Sequence, residues 1–211
     1  MPLDTLWLRK GLVIGSALIY WAGVFIQIHR VRKHIGRSPN VRPRGWKERS
    51  LWLGWFVVVA GWLTQPLVIG KLNCSLFSLI PCWMGPIGFF LGFLVMLFGY
   101  AGTQWCYTVL GDAWRMGIRR REKTALVKNG PYRYVRHPIY LFQIAMLLGA
   151  ILLLPTSFSF ILLFVHLLCV FIKAADEETY LLHVHGSEYQ VYLSSTGRLL
   201  PKISVFLRRH S

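Results

Sequence analysis

The chain has 211 residues, 55% of them hydrophobic, and a mean hydropathy of +0.46, which excludes an ordinary soluble globular protein. Its formal net charge of +16 invites a nucleic-acid reading, but the distribution argues against one. Eight of the 24 Lys and Arg fall between Arg30 and Arg49 and eight between Arg115 and Arg136, whereas the intervening connections are nearly neutral.

Four uncharged runs follow in order: Gly11 to Ile28, Ser50 to Gly70, Leu72 to Gly111 and Ile139 to Ile172. A membrane-crossing helix needs roughly 20 apolar residues. The first run ends in Gln27-Ile28-His29-Arg30 and leads into a polar loop, Gly36 to Arg49. No small-residue cleavage site follows it, so it reads as a span and not a signal peptide. The second carries Pro66, which predicts a kink. The third contains Pro81, Gly85 and Pro86, which predict a loop followed by a helix from about Pro86 to Tyr107. In that helix Gly88 and Gly92 form a small-xxx-small pair suited to close helix packing. The fourth run is divided by Leu154-Pro155-Thr156-Ser157, a turn signal.

The expected fold is therefore all-α and integral to the membrane, with five transmembrane helices. The last two form a tight hairpin, and a short cytosolic helix closes the chain. The alternation of basic and neutral loops places the amino terminus outside and the carboxyl terminus in the cytosol. Arg9 and Lys10 dissent from this pattern. The basic loops are expected to meet anionic membrane lipids, and no nucleic acid. Residues 1–110 read as an amino-terminal unit of three spans with a basic loop at 29–50, and residues 111–211 as a carboxy-terminal core.

Span four starts with Pro138, which suits a first helical turn. From Ile139 to Leu154 it has only 16 residues, about 24 Å at 1.5 Å per residue. The fifth helix is expected to run from near Phe158 to Gly186, which terminates it. It therefore overshoots a bilayer and carries Lys173 and Asp176-Glu177-Glu178 beyond the apolar body. Ser187 with Gln190 predicts a capping box for the closing helix, which bears Tyr189 and Tyr192. Cys74 and Cys82 share one loop and are candidates to pair under oxidising conditions. Cys106 and Cys169 read as packing residues, and no spacing matches a metal site.

Two polar clusters stand out against this background. The first is Gly130-Pro131-Tyr132-Arg133-Tyr134-Val135-Arg136-His137-Pro138-Ile139-Tyr140, which puts a cation, an imidazole and a phenol at one helix entry. Such an entry attracts anions. The second is Lys173 with the acidic triplet that follows it. Singly, these residues also fit interfacial aromatics, positive-side anchors and an ordinary i, i+4 ion pair of Lys173 with Glu177. Two helices that go out and return bring the clusters face to face. His166, the ionisable residue within the apolar body of the last two spans, reads as packed or interhelically hydrogen-bonded. A small transporter would show more intramembrane charge. A non-catalytic adaptor would explain the basic loops but not the clusters.

These residues resemble the isoprenylcysteine carboxyl methyltransferase family. The pattern runs from Leu110-Gly111 and Trp114 through Leu126-Val127, Gly130-Pro131-Tyr132 and Arg136-His137-Pro138-Ile139-Tyr140. It continues to Glu177-Glu178, Gly186-Ser187-Glu188-Tyr189, Tyr192, Arg198 and Pro201. The resemblance implies a membrane methyltransferase using S-adenosylmethionine. By motif, Thr124, Ala125, Leu126, Val127, Tyr132, His137, Pro138, Ile139, Tyr140 and Glu177 would hold the cofactor. In the family an arginine usually precedes that glutamate by four residues and orients the substrate; Lys173 stands there in this chain. Lysine keeps the charge but lacks the planar two-pronged geometry of a guanidinium. The implied substrate is a lipophilic carboxylate such as an isoprenylcysteine, which needs no general base because it is already ionised. The related phospholipid N-methyltransferases would need one, and His137 or Glu178 would have to serve.

Overall fold

The computed structural model describes residues 3–36, 38–39, 43, 45–115 and 125–202. Among these residues six α-helices follow in order: α1 (Leu3–Ile35), α2 (Gly45–Val68), α3 (Pro86–Leu110), α4 (Pro138–Leu153), α5 (Ser157–His185) and α6 (Ser187–Ser195). Among the described residues there are no β-strands, only two isolated bridges, Leu79 with Thr156 and Val135 with Gly197. Helices α1, α2, α3 and α5 are long and apolar enough to cross a membrane, whereas α4 has only 16 residues. The large apolar side chains left exposed, such as Phe90, Leu94, Phe98 and Phe164, suit a lipid-facing surface. This is a multi-pass membrane protein.

Several boundaries differ from expectation. Helix α2 begins at Gly45, so the last residues of the basic loop are already helical. Gly186 both ends α5 and occupies the N-cap position of α6, at φ 53°. Ser187 is thus the first helical residue and not a cap, and the expected capping box does not form. Thr156 is the N-cap of α5, its hydroxyl accepting from the Ser159 N–H. Cys74 and Cys82 are free and exposed, and Cys106 and Cys169 are buried.

Helices α4 and α5 are joined by residues 154–156 alone, yet α4 packs most extensively on α3, and α5 on α2. Glycine makes the α3–α4 approach. A Cβ at Gly99 would stand 2.6 Å from the Phe142 carbonyl oxygen, and one at Gly92 would stand 2.9 Å from that of Gly149. The close-packing stripe therefore runs further along α3 than the Gly88–Gly92 pair. Between α2 and α5, Gly54 faces Cys169 and Gly61 faces Leu162, so the two helices run antiparallel. Gln65 secures that pair near its end, donating to Thr156 Oγ1 at 2.9 Å and Ser159 Oγ at 2.6 Å.

Arg9 and Lys10, the dissenters from the charge pattern, lie inside α1 and are buried. The Arg9 guanidinium donates to the carbonyls of Leu153 at 3.1 Å, Met84 at 3.0 Å and Gly85 at 2.8 Å, and Lys10 donates to Ile69 at 2.7 Å. Leu153 ends α4 and Ile69 follows α2, so both cations meet carbonyls that helix ends leave unpaired. They are structural ties between helices.

Candidate functional site

The two polar clusters meet. Tyr140, in the first turn of α4, donates its hydroxyl to Glu177 Oε1 on α5 at 2.9 Å. His137 precedes α4 and is buried, with Nδ1 at 3.4 Å from Glu177 Oε2 and Nε2 at 3.3 Å from Glu178 Oε1. Both contacts are within ion-pair reach, although Nε2 is not aligned as a hydrogen bond. Burial alone would lower the His137 pKa, but the two carboxylates outweigh it and raise it above the ordinary value, which favours the imidazolium. The His137 ring also stacks on Tyr140 at 5.7 Å.

The adjacent glutamates have different surroundings. Glu178 is the counter-charge of a buried network: Arg136 Nε donates at 2.9 Å and Arg198 Nε at 3.1 Å to both oxygens. The Arg136 guanidinium also reaches the Thr196 carbonyl. Arg198 is brought there because the segment after α6 docks along the motif, with Arg136 N–H to Gly197 O at 2.9 Å and His137 N–H to Arg198 O at 3.0 Å. Its bonds to Glu178 raise the Arg198 pKa further. From α6, Tyr192 donates to the Tyr132 carbonyl. Glu177, by contrast, keeps a quarter of its side chain exposed.

These groups open onto a cavity of about 510 Å³. Its lining includes Lys173 and Glu177, the segment Ala125, Leu126 and Val127, and Tyr132, His137, Ile139 and Tyr140. Of the expected site residues, Pro138 is buried at the start of α4 without lining the cavity, and Thr124 lies outside the described residues. Burial holds the Tyr132 phenol well above its usual pKa, so it is a neutral wall residue. The ordinary ion pair of Lys173 with Glu177 is not formed. Lys173 is buried and has no ion-pair partner among the described residues, while Glu177 turns to Tyr140 and His137.

The amino-terminal helices contribute a wall for which no motif gave notice. Tyr20 and Trp21 of α1, and Trp52, Trp55, Val59 and Trp62 of α2, line the same cavity. Trp55 stacks on Tyr140 at 6.3 Å, and the Tyr20 hydroxyl accepts from Gln143 at 2.5 Å. The spacing of Trp52, Trp55, Val59 and Trp62 marks one helical face, a signal present in the sequence.

The cavity lining therefore combines apolar and aromatic side chains with one buried cation, Lys173, without an ionic partner among the described residues, and one partly exposed carboxylate, Glu177. Residues 90–183 match the model of the Isoprenylcysteine carboxyl methyltransferase (ICMT) family. The match bears out the resemblance carried by the motifs and takes in α4, the His137–Tyr140 turn, Lys173 and Glu177. No individual curated protein matches the chain.

Proposed function

From the match of residues 90–183 to the isoprenylcysteine carboxyl methyltransferase family model, we propose that this chain is an S-adenosylmethionine-dependent membrane methyltransferase. Its acceptor is the carboxylate of a lipophilic molecule, an isoprenylcysteine or a compound of like chemistry. The observation that carries this reading is the buried, ionically unpartnered Lys173 one helical turn from Glu177 on the wall of a single cavity. An anion and a cation are thereby offered separate partners side by side.

The residues present fit the cofactor. Glu177 supplies a negative charge for a sulfonium or ammonium group. Tyr189 belongs to the same lining, its hydroxyl buried without a partner among the described residues. Ala125, Leu126, Val127, Tyr132 and Ile139 provide an apolar bed. When bound, the cofactor supplies an electrophilic methyl group, which an acceptor oxygen takes by in-line displacement with breakage of the carbon–sulfur bond.

The protein's own part is alignment and exclusion of water. Lys173 holds the acceptor carboxylate, Tyr140 fixes the Glu177 carboxylate, and the aromatic wall from α1 and α2 encloses the acceptor's chain. No side chain needs to remove a proton, since a carboxylate is already ionised. The alternative, N-methylation of a phospholipid amine, requires a base. Both candidates are poorly placed for it: Glu178 is bound by two arginines, and His137 sits between two carboxylates that favour its protonated form.

In the membrane we place five crossings, with α4 and α5 as a hairpin, the amino terminus outside, and the carboxyl terminus and cavity mouth at the cytosolic face. The alternation of basic and neutral connections supports this arrangement. Titration calorimetry of S-adenosylmethionine into the protein in lipid nanodiscs tests the reading. Binding lost in Glu177→Ala is expected. Equal binding by that variant would overturn the role given to Glu177, and no binding by the parent would favour a non-catalytic adaptor.

A further inference from the structure

Glu177 is held by Tyr140, whose hydroxyl donates to it at 2.9 Å. What holds Tyr140 is less local. Its ring is half-buried and borders the open cavity, so the packing of α4 on α3 does not by itself fix the phenol. Two other rings lie against it with planes close to parallel: His137 at 5.7 Å and 18°, and Trp55 at 6.3 Å and 29°. Both separations fall within the range of about 4.5–7 Å in which aromatic pairs attract beyond simple area burial. His137 belongs to the same turn as Tyr140 and is itself tied to the two glutamates. Trp55 comes from α2.

That contact links two helices with different supports. Helix α2 packs chiefly on α5 and α1, and α4 on α3, and both contribute to the cavity lining. Trp55 is half-buried and part of that lining, so it does not fill a closed core. A leucine would line the cavity as well; what the indole adds is a flat surface for the phenol. Two turns along the same face of α2, Trp62 rests against Tyr20 at 6.2 Å, and the Tyr20 hydroxyl accepts from Gln143. Gln143 stands one turn beyond Tyr140 on the cavity side of α4. Helix α2 thus buttresses that side at two successive turns, once directly and once through α1.

We infer that Trp55 is a positioning residue for the cofactor: by stacking on Tyr140 it keeps the phenol on Glu177, and so keeps that carboxylate turned to the cofactor's positive charge. This rests on the role proposed above for Glu177. The stretch that matches the family model, residues 90–183, takes in Tyr140 and Glu177 but not Trp55. A helix outside the matched stretch therefore completes the site.

Titration calorimetry of S-adenosylmethionine into the protein in nanodiscs, run as a double-mutant cycle, tests this. Trp55→Leu should weaken binding about fivefold, and Trp55→Phe should recover most of that loss because a ring remains. Tyr140→Phe keeps the ring without the hydroxyl and should weaken binding by itself. Adding Trp55→Leu to it should change little further, since the two residues act through one contact. If Trp55→Leu does not assemble, Trp55→Met takes its place with the same expectations. Parent-like binding in Trp55→Leu or in Tyr140→Phe overturns the inference. So does a loss that persists undiminished in the Tyr140→Phe background, because the indole would then act without the phenol. Parent binding that is lost in Glu177→Ala but kept in Trp55→Leu would discard the positioning role alone. Absence of binding by the parent would discard the role of Glu177 and this inference with it.

Discussion

Glu177 and Glu178 are neighbours with the same side chain, and the structure predicts opposite consequences for the same substitution. Glu178 and Arg136 have side chains only 10% and 9% exposed, and Arg198 and His137 share the carboxylate. Glu178→Gln keeps the shape but leaves two guanidinium groups facing a neutral amide. Removing one partner of a buried pair costs about 3–5 kcal/mol. Arg198, with 39% of its side chain exposed, can turn to water, so the lower end of that range, about 3 kcal/mol, is expected. Glu177→Gln removes a charge that is a quarter exposed and weakens one hydrogen bond, at a stability cost of about 1 kcal/mol. Its S-adenosylmethionine affinity should nevertheless fall by about tenfold or more, the equivalent of at least 1.4 kcal/mol. Unfolding in mixed micelles with SDS, followed by tryptophan fluorescence, measures the first quantity, and titration calorimetry measures the second. A Glu178→Gln protein within 1 kcal/mol of the parent, or a Glu177→Gln protein that is the less stable of the two, would refute this division of labour.

Other consequences follow from the same geometry. Because the folded-state pKa of His137 is raised, its stabilising contribution is complete below its ordinary value of 6.5 and is lost as pH rises through the folded value. The melting temperature should therefore decline across that window in the parent and decline less in His137→Gln. Gly99→Ala places a methyl against the backbone of α4 and should cost about 1–3 kcal/mol. Gly15→Ala, where nothing lies within 4 Å, should be neutral or slightly stabilising, and the same unfolding assay compares them. Lys173→Arg should preserve or improve turnover of a carboxylate acceptor, since the guanidinium keeps the charge and adds a second donor. Complete inactivation with cofactor binding intact would give the lysine a different role.

The carboxy-terminal half was the more legible part of the chain. Pro138 marked the start of α4, Pro155 the connection to α5, and Gly186 the end of α5, because each restricts the backbone locally. The meeting of Tyr140 with Glu177 followed from two helices joined by a short turn. The closing cap was less legible, since Gly186 serves both helices and no local signal distinguishes Ser187 as cap from Ser187 as first residue. The charge rule gave no account of Arg9 and Lys10, whose partners are carbonyls at helix ends far along the chain. Arg198 and Glu178 were present in the motif, but their pairing depends on the segment after α6 returning to Val135 and Arg136. The tryptophan face of α2 was visible as periodicity, yet only its packing against α5 turns it into a cavity wall.

Methyl transfer from isotopically labelled S-adenosylmethionine by the purified protein in lipid, with a prenylated cysteine analogue added, tests the central claim most directly. The account predicts label that is released as methanol by base, the mark of a methyl ester, and a loss of transfer in Glu177→Ala. Base-stable label in the lipid fraction would mean an amine acceptor and would contradict the role given to Lys173. No transfer to either fraction would contradict the proposed reaction itself.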